Sequence, residues 1–189
     1  MLVLSGAIGE GHDAVARALQ EVLVEVWPGC IVRTADTFAS MGKAAGPLFR
    51  WLYVTAIRFT PVLEEVWYQG VRRSPMVHWV YRQWIGGWAG RAVAAELART
   101  RPDVVVSTYP LATAGLGWLS GQGRVGIPSA AVLSDFAPHP FWVYPGIDRY
   151  FVLSDTARDS IGGSPPAPRS WSVPRRLRPA SLLPAATRS

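Results

Sequence analysis

The sequence predicts an α/β fold, a doubly wound and mainly parallel sheet with a helical insertion. Two observations point to it: short apolar runs recur along the chain, each followed by polar residues, and a segment with helical period separates the first two runs. At 189 residues and 49% hydrophobic content, the chain is large enough for one core. We expect a domain over residues 1–160, an insertion at about 40–100, and a Pro/Arg/Ser-rich tail at 161–189 that is disordered.

The first strand and helix are predicted from residues 2–26. The apolar run Leu2–Leu4 leads into a loop with three glycines and one histidine. Apolar residues then recur every three or four positions, as in an amphipathic helix: Val15, Ala18, Leu19, Val22, Leu23 and Val26. A second strand over residues 30–34, with Asp36 at its carboxyl end, completes a βαβ unit whose strands are nearly always parallel.

The insertion carries three helical patterns in succession and no convincing strand. Tryptophans and arginines are interleaved along it, which is typical of a helix lying on a membrane surface. Aromatic packing against the sheet, with arginines in solvent, and base stacking with phosphate contacts are the alternatives. The residues expected to contact a membrane are Trp51, Trp67, Trp79, Trp84, Arg72 and Arg73.

Three more strands are predicted at Val104–Thr108, Ser129–Ser134 and Tyr150–Ser154, with a small-residue helix at about 111–119 after the first of them. Each run delivers polar residues at its carboxyl end. Ligands of open parallel sheets bind outside those ends, where the strand order reverses. The side chains expected to converge there are His12, Thr108, Asp135 and His139.

The composition narrows the class of protein. The single cysteine, Cys30, permits no internal disulfide and no thiolate metal cluster. The net charge of +6 comes from arginines scattered among nine tryptophans, which suits anionic lipid headgroups as well as nucleic acid. No apolar run reaches the roughly 18 to 20 residues of a membrane span, and Leu2–Leu4 is too short for a signal peptide. We expect a cytoplasmic protein, soluble or peripheral on a membrane.

The glycine-rich loop has the spacing Gly6-x-x-Gly9-x-Gly11 and is followed by His12. This is not the G-x-G-x-x-G order of dinucleotide-binding loops, and no Lys-Ser or Lys-Thr pair follows, as a P-loop requires. An imidazole at a glycine-rich helix start is well placed as a general base, because it titrates near working pH. A capping or packing histidine is the alternative.

A second group of candidate residues follows the fourth strand. Asp135 is placed to orient a histidine or bind a hydroxyl group, His139 lies between two prolines, and Trp142 offers an apolar wall. With His12 these residues contain enough ligands for a metal, but the spacing matches no known metal motif, and we expect no metal site. No G-x-S-x-G elbow supports a catalytic triad.

Three segments in order, Ser5–Leu19, Arg101–Thr108 and Ser134–Val152, resemble the N-terminal domain of monogalactosyldiacylglycerol synthases and bacterial processive diacylglycerol glucosyltransferases. The first contains Gly9-Glu10-Gly11-His12, and the last reads Ser134-Asp135-Phe136-x-x-His139-x-x-Trp142. The similarity runs from about Leu2 to Ser154. It implies the N-terminal half of a GT-B glycosyltransferase, with a Rossmann-like acceptor domain followed by a second domain for the UDP-sugar.

The resemblance also implies site residues. His12 falls on the proposed general base, which takes the proton of the diacylglycerol hydroxyl during inverting transfer, and Asp135 is the second catalytic candidate. The residues expected to bind the acceptor are Gly9, Gly11, Thr108, Tyr109, Pro110, Phe136, His139 and Trp142.

The partners implied are diacylglycerol or a related lipid and an anionic membrane, at the inner face of the cell membrane. The UDP-sugar is a donor substrate, and no cofactor, metal or nucleic acid is expected. The family's nucleotide-binding domain should follow Ser154, where this chain has a Pro/Arg-rich tail. We therefore expect a truncated chain with little or no transferase activity alone.

Three other functions stay open at this point. The same half could serve as a non-catalytic lipid- or membrane-binding module. It could also belong to a soluble nucleotide-binding enzyme that uses the glycine loop for phosphate. Among glycosyltransferases, a polyprenyl-linked sugar acceptor is a more distant alternative, as in the peptidoglycan transferase relatives of similar architecture.

Overall fold

The computed structural model describes residues 1–6, 10–49, 51, 55, 75–135 and 142–161. Within these ranges the chain folds as an α/β domain around a five-stranded sheet. The elements in chain order are β1 (Leu2–Ser5), α1 (Glu10–Val26), β2 (Arg33–Asp36), α2 (Thr37–Ser40), α3 (Pro75–Thr100), β3 (Val105–Ser107), α4 (Pro110–Gly121), β4 (Ser129–Leu133), β5 (Arg149–Val152) and α5 (Asp155–Ser160).

The strand order is β2-β1-β3-β4-β5, and every pair is parallel. Leu2 pairs with Arg33 on one side and with Val105 on the other. The sheet therefore grows in opposite directions from β1, and the order reverses between β1 and β3. The predicted doubly wound parallel sheet is confirmed.

The strand bounds differ from the sequence expectation at the edge of the sheet. β2 begins at Arg33 rather than at residue 30, and Ile31 before it is 72% exposed. The reason is the length of its neighbour: the four residues of β1 pair one for one with Arg33–Asp36. Asp36 does close the strand, and its carboxylate accepts a hydrogen bond from the backbone N–H of Phe38 at the start of α2.

Helix α1 buries a narrower stripe than its apolar periodicity predicts. Ala16 and Leu23 are buried, whereas Val22 and Val26 are about half exposed. The buried positions recur seven residues apart, which is two helical turns and therefore one face. The helix lies against the sheet along this line, so apolar residues a quarter turn away remain in solvent.

The core is built on α4, most of whose residues are buried between the sheet and α3. Its small residues let α3 approach closely: a Cβ added to Gly115 would lie 2.7 Å from the carbonyl carbon of Ala89. Conversely, the glycines of α3 accommodate the indole of Trp118, which would lie 2.5 Å from a Cβ on Gly90. The small residues of the predicted helix are thus a packing requirement.

The predicted insertion is helical where the structure describes it. Residues 45–49 form a helical turn, and α3 extends over 26 residues. Residues 56–74, including Trp67, Arg72 and Arg73, lie outside the described part of the chain, as does the tail from residue 162. None of the helices in the described ranges is long and apolar enough to cross a membrane.

Candidate active site

The candidate site forms at the carboxyl edge of β1, β3 and β4, on both sides of the reversal in strand order. β1 ends at Ser5 and α1 starts at Glu10, and residues 7–9 between them lie outside the described ranges. The Ser5 hydroxyl donates a hydrogen bond of 2.6 Å to the Asp13 carboxylate in the first turn of α1. This bond ties the end of the strand to the start of the helix, beside His12.

Gly6 provides the space for an aromatic wall. A Cβ on Gly6 would lie 2.7 Å from Cγ of Tyr109 and 3.0 Å from Cε2 of Phe38. Real Cβ atoms do not come so close, so the Tyr109 ring can rest against this backbone only where the residue is glycine. The first glycine of the loop therefore serves an aromatic contact.

Tyr109 is fixed from below by the end of β3. The hydroxyls of Ser107 and Thr113 both donate to the Tyr109 carbonyl oxygen, at 3.0 and 3.1 Å. Thr108 is buried, and its backbone N–H donates to the Leu4 carbonyl at 2.9 Å. Its hydroxyl faces the same carbonyl at 3.4 Å. Pro110 begins α4, so the wall is held between a strand end and a helix start.

His12 lies against this wall, partly buried. Its ring makes an edge-to-face contact with Tyr109, with centroids 4.8 Å apart and planes at 88°. The Trp142 ring lies 6.0 Å away at 49°. Nδ1 of His12 is 2.9 Å from the hydroxyl oxygen of Ser134, which follows β4. Within the described residues Nε2 forms no hydrogen bond, so it is the ring nitrogen that can still exchange a proton with another group.

Asp135 is held by Trp142 instead of by His12. The indole N–H of Trp142 donates to Oδ2 of Asp135 at 2.6 Å, and the Trp142 side chain is fully buried. An indole N–H is only a donor, so the carboxylate oxygen is the acceptor of this bond. It also anchors the start of the segment that leads to β5.

The same segment is fixed at its middle by a tyrosine pair. Tyr144 packs on Gly117, where an added Cβ would overlap the Cβ of Tyr144. The Tyr150 hydroxyl accepts from the backbone N–H of Tyr144 at 2.8 Å and donates to its carbonyl oxygen at 3.0 Å. Burial raises the pKa of Tyr150 to about 12, against smaller lowering effects of the Tyr144 hydrogen bond and the Arg82 charge. At neutral pH Tyr150 is a neutral clamp.

A separate cleft of about 480 Å³ opens beside α4, away from His12. The Arg82 guanidinium lies 5.1 Å from the centre of the Tyr144 ring in its wall, a cation–π contact. The remaining lining residues are Trp79, Gln83, Gly117, Trp118, Gly121 and Gln122.

The structure brings together part of the predicted site. His12, Tyr109, Asp135 and Trp142 meet at the sheet edge, with Thr108 beneath them. Gly11 lies in α1, with open space where a side chain would be. Gly9, Phe136 and His139 fall outside the described residues.

Sequence reasoning gave no role to Ser134, Gly6 or Phe38. The available signal for Ser134 was its position: it is the first polar residue after an apolar strand, one place before Asp135. In the described ranges no group of three His, Cys, Asp or Glu residues is arranged to hold a metal ion.

Of the predicted membrane-contacting residues, those in the described part are exposed: Trp51, Trp79 and Trp84. They are joined on α3 by Met76 and Val80, which are also exposed. Residues 76, 80 and 84 are four apart and lie on one side of the helix.

An open parallel sheet with a histidine, a carboxylate and aromatic walls at its carboxyl edge defines a Rossmann-like α/β protein with a site suited to proton transfer. The sequence profile of the family described as monogalactosyldiacylglycerol (MGDG) synthase matches residues 12–163. The chain belongs to this family.

Curated relatives are similar over most of the chain. Proteins named processive diacylglycerol beta-glucosyltransferase from Bacillus thuringiensis (strain Al Hakam), Bacillus cereus (strain AH187) and Bacillus anthracis (strain CDC 684 / NRRL 3495) are each 26% identical over 159 residues. The match covers 82% of this chain and 39% of each relative, so the chain spans about two fifths of their length. No solved structure matches significantly.

Proposed function

We propose that this chain is the acceptor-binding half of a membrane-associated glycosyltransferase that moves a hexose from a UDP-sugar to diacylglycerol with inversion. The family and the names of the relatives support the reaction class. The observation that carries the proposal is the placement of His12: its ring is held on Tyr109 and Ser134, and Nε2 is left without an intramolecular partner in the described part of the chain.

In the proposed reaction His12 is the general base. Nε2 takes the proton of the free diacylglycerol hydroxyl while that oxygen forms a bond to the anomeric carbon. The bond between the anomeric carbon and the UDP oxygen breaks, and UDP leaves with the electron pair. Asp135, fixed by Trp142, and Tyr109 line the acceptor side. The UDP-sugar is held by a nucleotide-binding domain outside residues 1–161.

The glycine loop fits an acceptor-side turn better than a phosphate cradle. The Tyr109 ring packs directly against Gly6, whereas the glycines of phosphate loops let the backbone approach the ligand. This contact disfavours the alternative of a soluble nucleotide-binding enzyme that uses the same loop.

The exposed side of α3 supports the membrane part of the proposal. Trp84 is 75% exposed and Met76 is 72% exposed, beside Trp79 and Val80. Tryptophan and methionine exposed together on one side of a helix are suited to the headgroup layer of a bilayer. We propose that this face lies on the inner surface of the cell membrane and brings the site to its lipid.

A vesicle flotation experiment tests the lipid partner. The full chain should float with phosphatidylglycerol vesicles, and more strongly when they contain diacylglycerol, but not with vesicles of phosphatidylcholine alone. The double variant Trp79→Ser and Trp84→Ser should reduce flotation, whereas Val24→Ser, also exposed but on α1, should not. Absence of binding to anionic vesicles would remove the lipid account.

The base is tested in the complete Bacillus cereus relative. Alanine in place of its histidine equivalent to His12 should reduce glucose transfer to diacylglycerol by about 10²–10⁴-fold, the range of a general base. UDP-glucose binding, measured by calorimetry, should be unchanged. Transfer that survives this substitution would show that the histidine is not the base.

A non-catalytic membrane-binding module is the second candidate, and the exposed side of α3 favours it equally. The two functions differ in what the site does. A module binds vesicles with the same affinity whether or not they contain diacylglycerol, because it has no acceptor subsite. The flotation comparison above therefore separates them.

A further inference from the structure

We propose that Ser134 is the positioning residue of His12: its hydroxyl accepts a hydrogen bond from Nδ1–H and so reserves the Nε2 lone pair for the substrate proton. The inference rests on the proposed role of His12 as a base, and adds a residue to which neither the family nor the relatives' names assign a function. The contact joins residues 122 positions apart, one in the first turn of α1 and the other directly after β4.

The bond has two possible directions in neutral histidine. If the Ser134 hydroxyl donates to Nδ1, the ring proton sits on Nε2, which then cannot accept a proton from a substrate. If Nδ1–H donates to Ser134, Nε2 is an acceptor. Only the second arrangement is compatible with a base whose free nitrogen is Nε2.

The state after proton transfer selects the same direction. In the imidazolium both ring nitrogens carry hydrogen and both are donors. A hydroxyl that already accepts from Nδ1–H needs no rearrangement when Nε2 gains its proton. A hydroxyl that donates to Nδ1 would first have to rotate, because two hydrogens would otherwise face each other.

The charged neighbours are occupied elsewhere. The carboxylate of Asp135, next in sequence to Ser134, accepts from the Trp142 indole. Asp13, next to His12, accepts from the Ser5 hydroxyl. A neutral hydroxyl is therefore the partner that the described structure presents to Nδ1.

The aromatic contacts do not determine which of two flipped orientations the His12 ring adopts, and the hydrogen bond to Ser134 does. Tyr109 and Trp142 restrict the plane of the imidazole. A half turn of the ring about the Cβ–Cγ bond would return it to the same plane and preserve both contacts. It would also exchange the positions of the nitrogen and carbon atoms. The hydroxyl bonds to nitrogen alone, so it fixes which edge of the ring faces the substrate side.

Long-range ¹H–¹⁵N spectra of the full 189-residue chain test the proposal, since they distinguish protonated from unprotonated ring nitrogens. His12→Gln assigns the His12 signals among the three histidines. At a pH where the ring is neutral, we expect hydrogen on Nδ1 in the wild-type chain. Ser134→Ala should shift the population to hydrogen on Nε2, and Ser134→Thr, which keeps the hydroxyl, should restore the wild-type pattern.

Hydrogen on Nε2 in the wild-type chain would overturn the proposal, even if Ser134→Ala failed to fold. An unchanged tautomer in a folded Ser134→Ala chain would overturn it as well. Failure of the proposed function would give a different result. Glucose transfer by the relative would survive loss of its equivalent histidine, whichever ring nitrogen of His12 carries hydrogen in this chain. In that enzyme the equivalent serine-to-alanine change should lower kcat at least tenfold at constant KM, because a base held in the wrong tautomer loses up to about 10⁴ in rate.

Discussion

Two regions of the molecule place an aromatic ring on a glycine, with different consequences. At the sheet edge the Tyr109 ring rests on Gly6 and also contacts the His12 ring. Beside α4 the Tyr144 ring rests on Gly117, the Arg82 guanidinium lies over it, and the side chain is buried. The same pairing thus gives a wall of the site in one region and core packing in the other. The two rings differ in exposure, because Tyr109 is partly buried whereas Tyr144 is buried.

The buried region should be the more sensitive to an added methyl group. Gly115→Ala places a Cβ 2.7 Å from the Ala89 carbonyl carbon and 2.9 Å from the Gly90 nitrogen, and backbone atoms cannot turn away. We expect α3 and α4 to separate and the free energy of unfolding to fall by about 3 kcal/mol or more. Urea unfolding measures this change.

Gly121→Ala is the matched control, because it lies in the same helix with nothing within 4 Å of the added Cβ. It should leave stability unchanged or raise it by up to about 1 kcal/mol. Equal stability of the two alanine variants would show that the close approach of α3 and α4 does not stabilise the fold.

A second prediction concerns pH, because Tyr150 clamps the Tyr144 backbone. Its pKa is about 12 in the folded chain against an ordinary tyrosine pKa of 10.0, so the folded state keeps the proton to higher pH. Stability from this group is complete below pH 10 and is lost as pH rises towards 12. The loss should approach about 2 to 3 kcal/mol.

Tyr150→Phe tests the assignment. It removes the titrating hydroxyl, and with it the part of the stability loss between pH 10 and 12 that belongs to this residue, while lowering stability at pH 7 by the two lost hydrogen bonds. Phenolate absorbance of the wild-type chain should include a tyrosine with a pKa of about 12 that is missing from the Tyr150→Phe chain. Identical alkaline stability profiles for the two chains would refute the clamp.

The fold was largely predictable because its signals are local. Apolar runs such as Val105–Ser107 mark strands buried on both faces, and the glycines before α1 mark the turn. The edge strand β2 was placed three residues early, since Cys30–Val32 is apolar but its neighbour β1 is too short to pair with it. The half-exposed Val22 and Val26 show that periodicity gives a helical face but not how wide a stripe its neighbours cover.

The candidate site was less predictable because its contacts are long-range. His12 and Asp135 could be placed at one edge of the sheet from strand ends alone. That the histidine contacts Ser134, and that the carboxylate contacts Trp142, depends on how the segment after β4 folds back. No spacing in the sequence encodes that choice.

A third prediction tests the wall at the sheet edge. Gly6→Ala would push the Tyr109 ring, a side chain that can shift, so we expect a smaller loss of about 1 to 2 kcal/mol in the free energy of unfolding. The larger effect should be on His12, whose ring signals should move because the edge-to-face contact is lost.

Gly46→Ala is the control for Gly6→Ala. Its added Cβ would make an ordinary 3.7 Å contact with Phe38, which is also close to Gly6. It should leave the His12 signals in place. If Gly6→Ala also left them in place, Tyr109 would not be the wall of this site.

The smallest stability effect is expected where an aromatic residue has no glycine beneath it. Trp84 is 75% exposed, so Trp84→Ala should change the free energy of unfolding by no more than about 0.5 kcal/mol. Its partition to phosphatidylglycerol vesicles should nevertheless fall about tenfold, because an indole in the headgroup layer contributes roughly 1 to 2 kcal/mol. Trp118→Ala should have the opposite effects, because the Trp118 indole packs against the glycines of α3. We expect a large loss of stability and little direct effect on vesicle partition. A Trp84 variant that destabilises the chain without weakening vesicle binding would place Trp84 with the packing residues and remove it from the membrane face.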